Sequence, residues 1–416
     1  KSLIMENLTI LKRILRNMEI IKLIMKMNNK INQILKRLKK TLGKGGKFVP
    51  LHEPSISKLD IKSVQKCVKS SFVSSTGKNV LNFENKIKKI TNSRNVISVV
   101  NGTCGLHLSL KILGVEKNDE VLLPSLTFAG TVNAILASSA TPHFVDSEYE
   151  TLGVNPEKLR DYLERNTYIK KNTCFNKKTR KKIKVLIVVH VFGHAAQIIK
   201  LKKICKDFKI FLLEDAAECI GSYFKNKHLG SFGNLGVISF NGNKSITTGG
   251  GGVILTDNNS LARKARHISS GSKMKHKWEY IHDQLGYNYK LPALNASLGI
   301  SQMKKLKKII RNKRLLYKKY EKNFRGLNYV KILKEPKNAK SNYWLNTLLI
   351  DSKNKSLKNP ILKKLNKNKI MTRPAWKPLH SLKHLRNFPK MNLDVCEDLY
   401  SRIINLPSSP NLIRKI

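Results

Sequence analysis

From residue 48 onward, short apolar runs alternate with stretches whose apolar residues recur at helical spacing, and no other feature restricts the fold as strongly. Residues 96–100, 121–123, 143–145, 184–191 and 210–213 read as buried strands, and residues 103–113, 130–137, 156–165 and 198–208 as the helices between them. Two more apolar runs, 236–240 and 253–256, complete the series. Short strands alternating with helices predict an α/β fold with a mainly parallel sheet covered on both faces. After Gly286 the texture changes. Residues 292–324 read as one long helix, residues 343–350 as a strand, and residues 360–367 as a helix with Pro360 at its first position, where no backbone N–H is needed. The expected organisation is a large α/β domain over 47–289 and a smaller C-terminal α+β domain over 290–416.

Residues 1–46 stand apart. They are rich in Ile, Leu, Met and Lys, with Leu11, Ile14, Leu15 and Met18 at helical spacing, and charges interrupt them too often for a signal peptide. The expectation is a basic helical N-terminal extension, an appendage to the rest, with the glycines at 43–46 as a linker. The alternative is a basic amphipathic helix that touches a membrane or a partner. Residues 170–182 read as an exposed lysine-rich excursion. The strongest apolar run, 185–192, falls far short of the ~20 residues of a membrane span, so none is expected.

The chain of 416 residues carries 80 Lys+Arg against 27 Asp+Glu, a formal net charge of +53. Such an excess points first to nucleic acid or an anionic surface. Here it is mostly lysine spread over the whole length, with no arginine-rich stripe, RNP-like aromatic motif or zinc-finger spacing, so a nucleic-acid partner is not expected. The six cysteines form no CxxC pair and no disulfide framework, which is the usage of a reduced, cytoplasmic protein.

The chemistry lies in three places. The polar turn between runs 236–240 and 253–256 carries Lys244, and Gly249 to Gly252 follow it. Taken alone Lys244 reads as one more surface lysine; an ammonium held between two buried strands either pairs with something or loses its proton, and the neutral amine is the form that condenses with an aldehyde. Asp215 and Glu218 follow the strand-like run 210–213, where open α/β sheets bind ligands; Asp215 is also a good helix cap, and taken alone that reading suffices. Asn101-Gly102-Thr103-Cys104-Gly105 follows a strand and opens a helix, an arrangement whose free N–H groups suit a phosphate. The spacing around Gly242 and Lys244 is not a Walker motif. His190 and His194 lie four apart without the HExxH pattern of a zinc site, and no metal is expected. A phosphate anchor, an acid for a ring nitrogen and an amine for an aldehyde are together what pyridoxal 5′-phosphate requires.

The chain resembles the DegT/DnrJ/StrS family of pyridoxal-phosphate-dependent sugar aminotransferases from about residue 48 to residue 410. The resemblance rests on Pro50-Leu-His-Glu-Pro54, Asn101-Gly-Thr-Cys-Gly-Leu-His-Leu, Pro124-Ser-Leu-Thr-Phe128, Val189-His-Val-Phe-Gly193, Glu214-Asp-Ala-Ala-Glu218, Ser239-Phe-Asn-Gly-Asn-Lys244, Gly286-Tyr-Asn-Tyr289 and Leu406-Pro-Ser-Ser-Pro410. It implies the aspartate-aminotransferase-like fold-type I and a cofactor bound to Lys244. It also implies Asp215 at the pyridine nitrogen, Gly102, Thr103, Cys104 and Ser239 around the phosphate, and Phe128 stacked on the ring. Glu218 and, more weakly, His380 are implied near the substrate. Asn288 is implied to reach the cofactor phosphate of a second subunit, which makes a homodimer with shared sites. The wording around Lys244, with Lys377-Pro-Leu-His380, is most similar to the branch that aminates C4 of UDP-linked 4-keto-6-deoxy-N-acetylhexosamines, with glutamate as amino donor. Cys104 stands where Ala is common and Lys290 where Arg is usual. The rivals are a 3-dehydratase of the same family, which has histidine in place of the lysine, and a non-catalytic basic interaction protein on the same scaffold.

Overall fold

The structure, a computed structural model, describes residues 2–43 and 47–413; within the first helix the side chains of residues 2–6, 8–12, 14 and 15 lie outside that description, among them Leu11, Ile14 and Leu15. Helix α1 (Ser2–Leu42) is followed by α2 (Lys58–Lys69) and α3 (Lys78–Thr91). The alternation then runs β1 (Asn95–Val99), α4 (Gly102–Ile112), β2 (Glu120–Pro124), α5 (Ala129–Ala137), β3 (Thr141–Val145) and α6 (Pro156–Asn166). A hairpin of β4 (Thr167–Lys170) and β5 (Thr173–Asn176) leads into β6 (Lys182–Val189), α7 (Ile198–Asp207) and β7 (Phe211–Asp215). Two short strands, β8 (Tyr223–Phe224) and β9 (Lys227–His228), precede β10 (Leu235–Ser239), β11 (Gly252–Thr256) and α8 (Asn259–Ile268).

Nine strands form one sheet, ordered β1-β11-β10-β7-β6-β2-β3 with the β4–β5 hairpin beside β6. Strands β3, β2, β6, β7 and β10 pair in parallel, and β11 runs antiparallel to its neighbours β10 and β1. Every residue of β2, β10 and β11 is buried, which is why these strands read as unbroken apolar runs rather than alternating ones. Local sequence sets the helix starts. The Asn155 side chain accepts the Lys158 N–H, and Pro156 follows at the first position of α6.

Residues 170–182 differ from the excursion expected of them. They complete the β4–β5 hairpin, and Asn176 Nδ2 donates to Glu120 Oε2 at 3.0 Å, where Thr179 and His143 also bond the buried carboxylate. A buried carboxylate needs partners, and the hairpin supplies two of them; its lysines stay on the outer side.

Helix α9 (Ala293–Phe324) leads to a small antiparallel sheet, β12-β14-β16-β15, made of β12 (Val330–Ile332), β14 (Asn346–Ile350), β15 (Arg373–Pro374) and β16 (Ile403–Leu406). Strand β13 (Ala339–Lys340) pairs instead with β8, and helices α10 (Lys358–Lys367) and α11 (Asp394–Arg402) complete this region. Pro360 is the third residue of α10, not the first; its missing N–H still costs nothing, because the first turn has no carbonyl to bond.

Helix α1 is only in part the appendage expected of residues 1–46. Ile31, Ile34 and Leu38 are buried in a cluster with Leu316, Tyr320 and Phe324 of α9 and Ile361 and Leu365 of α10. Tyr329 Oη donates to the Lys30 carbonyl at 3.0 Å, and Asn323 Nδ2 to Thr41 Oγ1 at 2.9 Å. Each fully buried Ile or Leu contributes about 1.5–3 kcal/mol, so the second half of α1 belongs to the core.

Candidate active site

The C-terminal ends of β6, β7 and β10 and the start of α4 open onto one cavity of about 490 Å³. The turn after β10 projects Lys244 into it. Backbone bonds close that turn: Lys244 N–H to Asn241 O at 3.0 Å and Thr248 N–H to Phe240 O at 2.9 Å. Asn295 of α9 clamps it, its Nδ2 donating to Thr248 O at 2.8 Å and Gly250 O at 3.1 Å. Two of the glycines are required by geometry. Gly249 has φ +83, where a side chain is strained, and a Cβ on Gly252 would lie 3.0 Å from the Gly102 nitrogen. The bare strand therefore passes directly beneath the start of α4.

Lys244 Nζ bonds Glu218 Oε1 at 3.2 Å and stands 4.0 Å over the Trp344 ring. The Glu218 Oε2 atom accepts the Phe192 N–H at 2.8 Å. Phe192 has φ +55, a conformation uncommon for a bulky residue, and this bond helps to hold it there. Burial pushes the Glu218 carboxyl up to about 7; Lys244 opposes that rise and Asp215 adds to it.

Asp215 and Glu214 are neighbours on β7 and do different work, because successive strand residues face opposite sides. Glu214 is fully buried, accepts His190 Nε2–H at 2.9 Å and the N–H groups of Gly230, Phe232 and Gly233, and ties that loop under the sheet. Asp215 faces the cavity. Its Oδ2 accepts the Thr131 hydroxyl at 2.7 Å and its Oδ1 the Ala217 N–H at 3.2 Å. Burial pushes its carboxyl up, with Thr131, Ala217 and the Lys244 charge opposing. A buried carboxylate held this way calls for a cation in front of it.

At the start of α4, Asn101 caps the helix by accepting the Cys104 N–H at 2.8 Å. The N–H groups of Gly102 and Thr103 are in the first turn and have no intrahelical carbonyl. A Cβ on Gly102 would lie 3.0 Å from the Ser239 Cβ, so the glycine and the serine form one close-packed wall.

The cavity thus gathers Gly102, Thr103, Cys104 and Ser239 at one end and Phe128, Asp215, Glu218 and Lys244 around it. Two expected residues are elsewhere. His380 is buried between Ser125 Oγ, 2.7 Å from Nδ1, and Glu397 Oε1, 3.0 Å from Nε2; both nitrogens are occupied and it does not line the cavity. Asn288 lines a separate basic groove with Lys273, Lys277 and Lys290. The histidines four apart turn to different partners, His190 to Glu214 and His194 Nδ1 to Ser341 Oγ at 2.9 Å. Thr131, Trp344 and Trp376 line the cavity and were not singled out from the sequence. A hydroxyl in the first turn of a helix and two tryptophans beyond residue 340 carry no local signal.

The arrangement fits pyridoxal phosphate on three counts. A carboxylate sits buried where a protonated ring nitrogen would neutralise it, free N–H groups meet a serine where a phosphate would sit, and an amine lies between them.

Comparison with known proteins agrees. The chain belongs to the DegT/DnrJ/EryC1/StrS aminotransferase family, whose model matches residues 54–415. It is 34% identical to the GDP-perosamine synthase of Escherichia coli O157:H7 over 369 residues, 88% of this chain and 94% of the relative. The GDP-perosamine synthase of Vibrio cholerae is 32% identical over 366 residues, 88% of this chain and 95% of the relative. Among solved structures, Helicobacter pylori PseC, an aminotransferase involved in the biosynthesis of pseudoaminic acid, matches with a TM-score of 0.79 at 25% identity, covering 89% of this chain and 97% of that one. The protein is a pyridoxal-phosphate-dependent sugar aminotransferase of fold-type I.

Proposed function

We propose that the acceptor is a nucleotide-linked 4-keto-6-deoxy sugar, aminated at C4, with glutamate as donor. The observation that carries this reading is Lys244 Nζ, 3.2 Å from Glu218, in the one cavity that also holds Asp215 and the start of α4. Bound pyridoxal phosphate supplies an aldehyde that takes up an amino group and a ring that accepts the electrons of a broken C–H bond. Gly102, Thr103 and Ser239 would bind its phosphate, Asp215 would hold its ring nitrogen protonated, and Phe128 would pack against the ring. Lys244 Nζ moves the proton at the reacting carbon. Glu218, whose Oε1 accepts a hydrogen bond from Lys244 Nζ at 3.2 Å, orients that amine. The basic surface favours approach of a diphosphate. Retention of the lysine supports transamination over 3-dehydration.

For the nucleotide, the two GDP-perosamine synthases among the relatives favour GDP. The motif wording around Lys244 and His380 favours UDP-N-acetylhexosamines. Product analysis with GDP- and UDP-linked 4-keto sugars and glutamate decides: amination of the GDP sugar alone is expected, and no amination of either would overturn the reading.

The second subunit is also part of the proposal. Asn288 does not reach the cavity of its own chain, and Trp278, Tyr280 and Leu285 on the preceding loop are 72, 79 and 76% exposed, as an uncovered dimer face would be. Co-expressed Lys244→Ala and Asn288→Ala chains should recover activity in mixed dimers at limiting cofactor, since one of the two sites is then intact. Mixed dimers without recovered activity would contradict shared sites.

A further inference from the structure

Helix α1 carries one apolar stripe through two surroundings. Ile20, Ile24, Met27, Ile31, Ile34 and Leu38 follow one another at steps of three and four, so they share one side of the helix. At Ile31, Ile34 and Leu38 that side is covered by α9 and α10, with exposures of 6, 0 and 0%. At Ile20 and Ile24 it has run off the body, with exposures of 47 and 51%. Met18, Ile21, Leu23 and Met25 widen the exposed part to six apolar residues within residues 18–25, each at least half exposed apart from Ile20.

The charge around this patch is one-sided. Residues 12–42 hold ten Lys or Arg and one acidic residue, Glu19. Lys22 and Lys26 are exposed on the side of the helix away from the stripe, and Arg13 and Arg16 are exposed just before the patch. A two-stranded coil buries a narrow seam of two positions in seven, and this patch is broader. A second copy of α1 would also bring the same ten cations and single acid of residues 12–42 to this surface, like charge against like. An anionic lipid surface matches both features: it takes the broad apolar face and attracts the flanking cations. Among the described residues no helix is long and apolar enough to cross a membrane, so the fitting geometry is a helix lying in the interface.

We propose that the exposed half of α1, residues 18–25, docks the enzyme on a membrane surface carrying anionic lipid, with residues 31–42 fastening that helix to the body. The test uses the full chain with its cofactor, sedimented with vesicles of phosphatidylcholine alone or mixed with phosphatidylglycerol. Because any protein this basic can adhere to anionic vesicles through charge, the deciding comparison is Ile20→Ser/Ile24→Ser, which leaves the charge unchanged. The expected result is binding to the mixed vesicles, weakened at least about tenfold in the double variant, with circular dichroism and transaminase activity unaltered. Equal binding by the double variant, or no binding by the parent, would overturn the proposal. So would a double variant that keeps its lipid binding and loses an oligomer, since the patch would then belong to a second copy.

Discussion

Trp344 has a lysine on either side, and the two differ in all that matters for chemistry. Lys313, in the middle of α9, is fully buried; its Nζ donates to the Trp344 carbonyl at 3.1 Å and the Ser408 carbonyl at 2.6 Å. Burial pushes its ammonium well below the ordinary lysine value. Lys244 faces the cavity, stands 4.0 Å over the Trp344 ring and pairs with Glu218. Lys313 is the more deeply buried of the two. Its hydrogen bonds are nevertheless spent on two carbonyls, and it does not line the cavity that holds Lys244, so it works as a strut between α9 and the segments at 344 and 408. Perturbation marks a candidate; access to a space where a substrate fits makes it a catalytic group.

The contrast can be broken most sharply at Lys244. Lys244→Ala should fold, with a circular dichroism spectrum like the parent's, and show no transamination at any cofactor concentration. Normal turnover would place the chemistry elsewhere. Asp215→Asn comes next: kcat should fall about 10²–10³-fold with KM little changed, because the lost charge acts on the ring as electrons move into it. A change confined to KM would contradict that role.

Glu218 gives a pH signature. Its folded carboxyl sits at about 7 against an ordinary 4.5, so the folded state favours the neutral form. Its stabilising contribution is therefore complete below about 4.5 and is lost as pH rises through about 7, an effect on the order of 3 kcal/mol. Thermal unfolding of cofactor-free Glu218→Gln should lack this fall, and an unchanged pH profile would contradict the burial argument. The smallest effect is expected at Lys313. Lys313→Met leaves two buried carbonyls without donors and should cost about 1–3 kcal/mol in denaturant unfolding, with kcat kept within a few-fold. Loss of turnover in a stable Lys313→Met would erase the distinction between the two lysines.

Much of the fold was legible because its strands are buried on both faces. The run at 184–191 and the strand Lys182–Val189 describe nearly the same segment, and the helix at 156–165 is marked by Asn155 and Pro156. Lys244, Asp215 and Gly102 were legible at the site because each sits at a strand end or helix start with a local pattern. What escaped depends on partners distant in the chain. Thr131 matters through Asp215, 84 positions away, and Trp344 through Lys244. Residues 170–182 looked exposed because their lysines are, while Asn176 turns inward to Glu120. The second half of α1 seemed dispensable because its stripe gives no hint that α9 and α10 lie beneath it.

The central claim is that Lys244, and not its buried counterpart, carries the cofactor. Borohydride reduction of the cofactor-loaded enzyme fixes the cofactor covalently to whichever amine holds it, and peptide mass spectrometry then locates the label. The account predicts loss of the visible absorbance and a phosphopyridoxyl group on Lys244 alone. A label on Lys313, or an enzyme that turns over with Lys244 unlabelled, would contradict it.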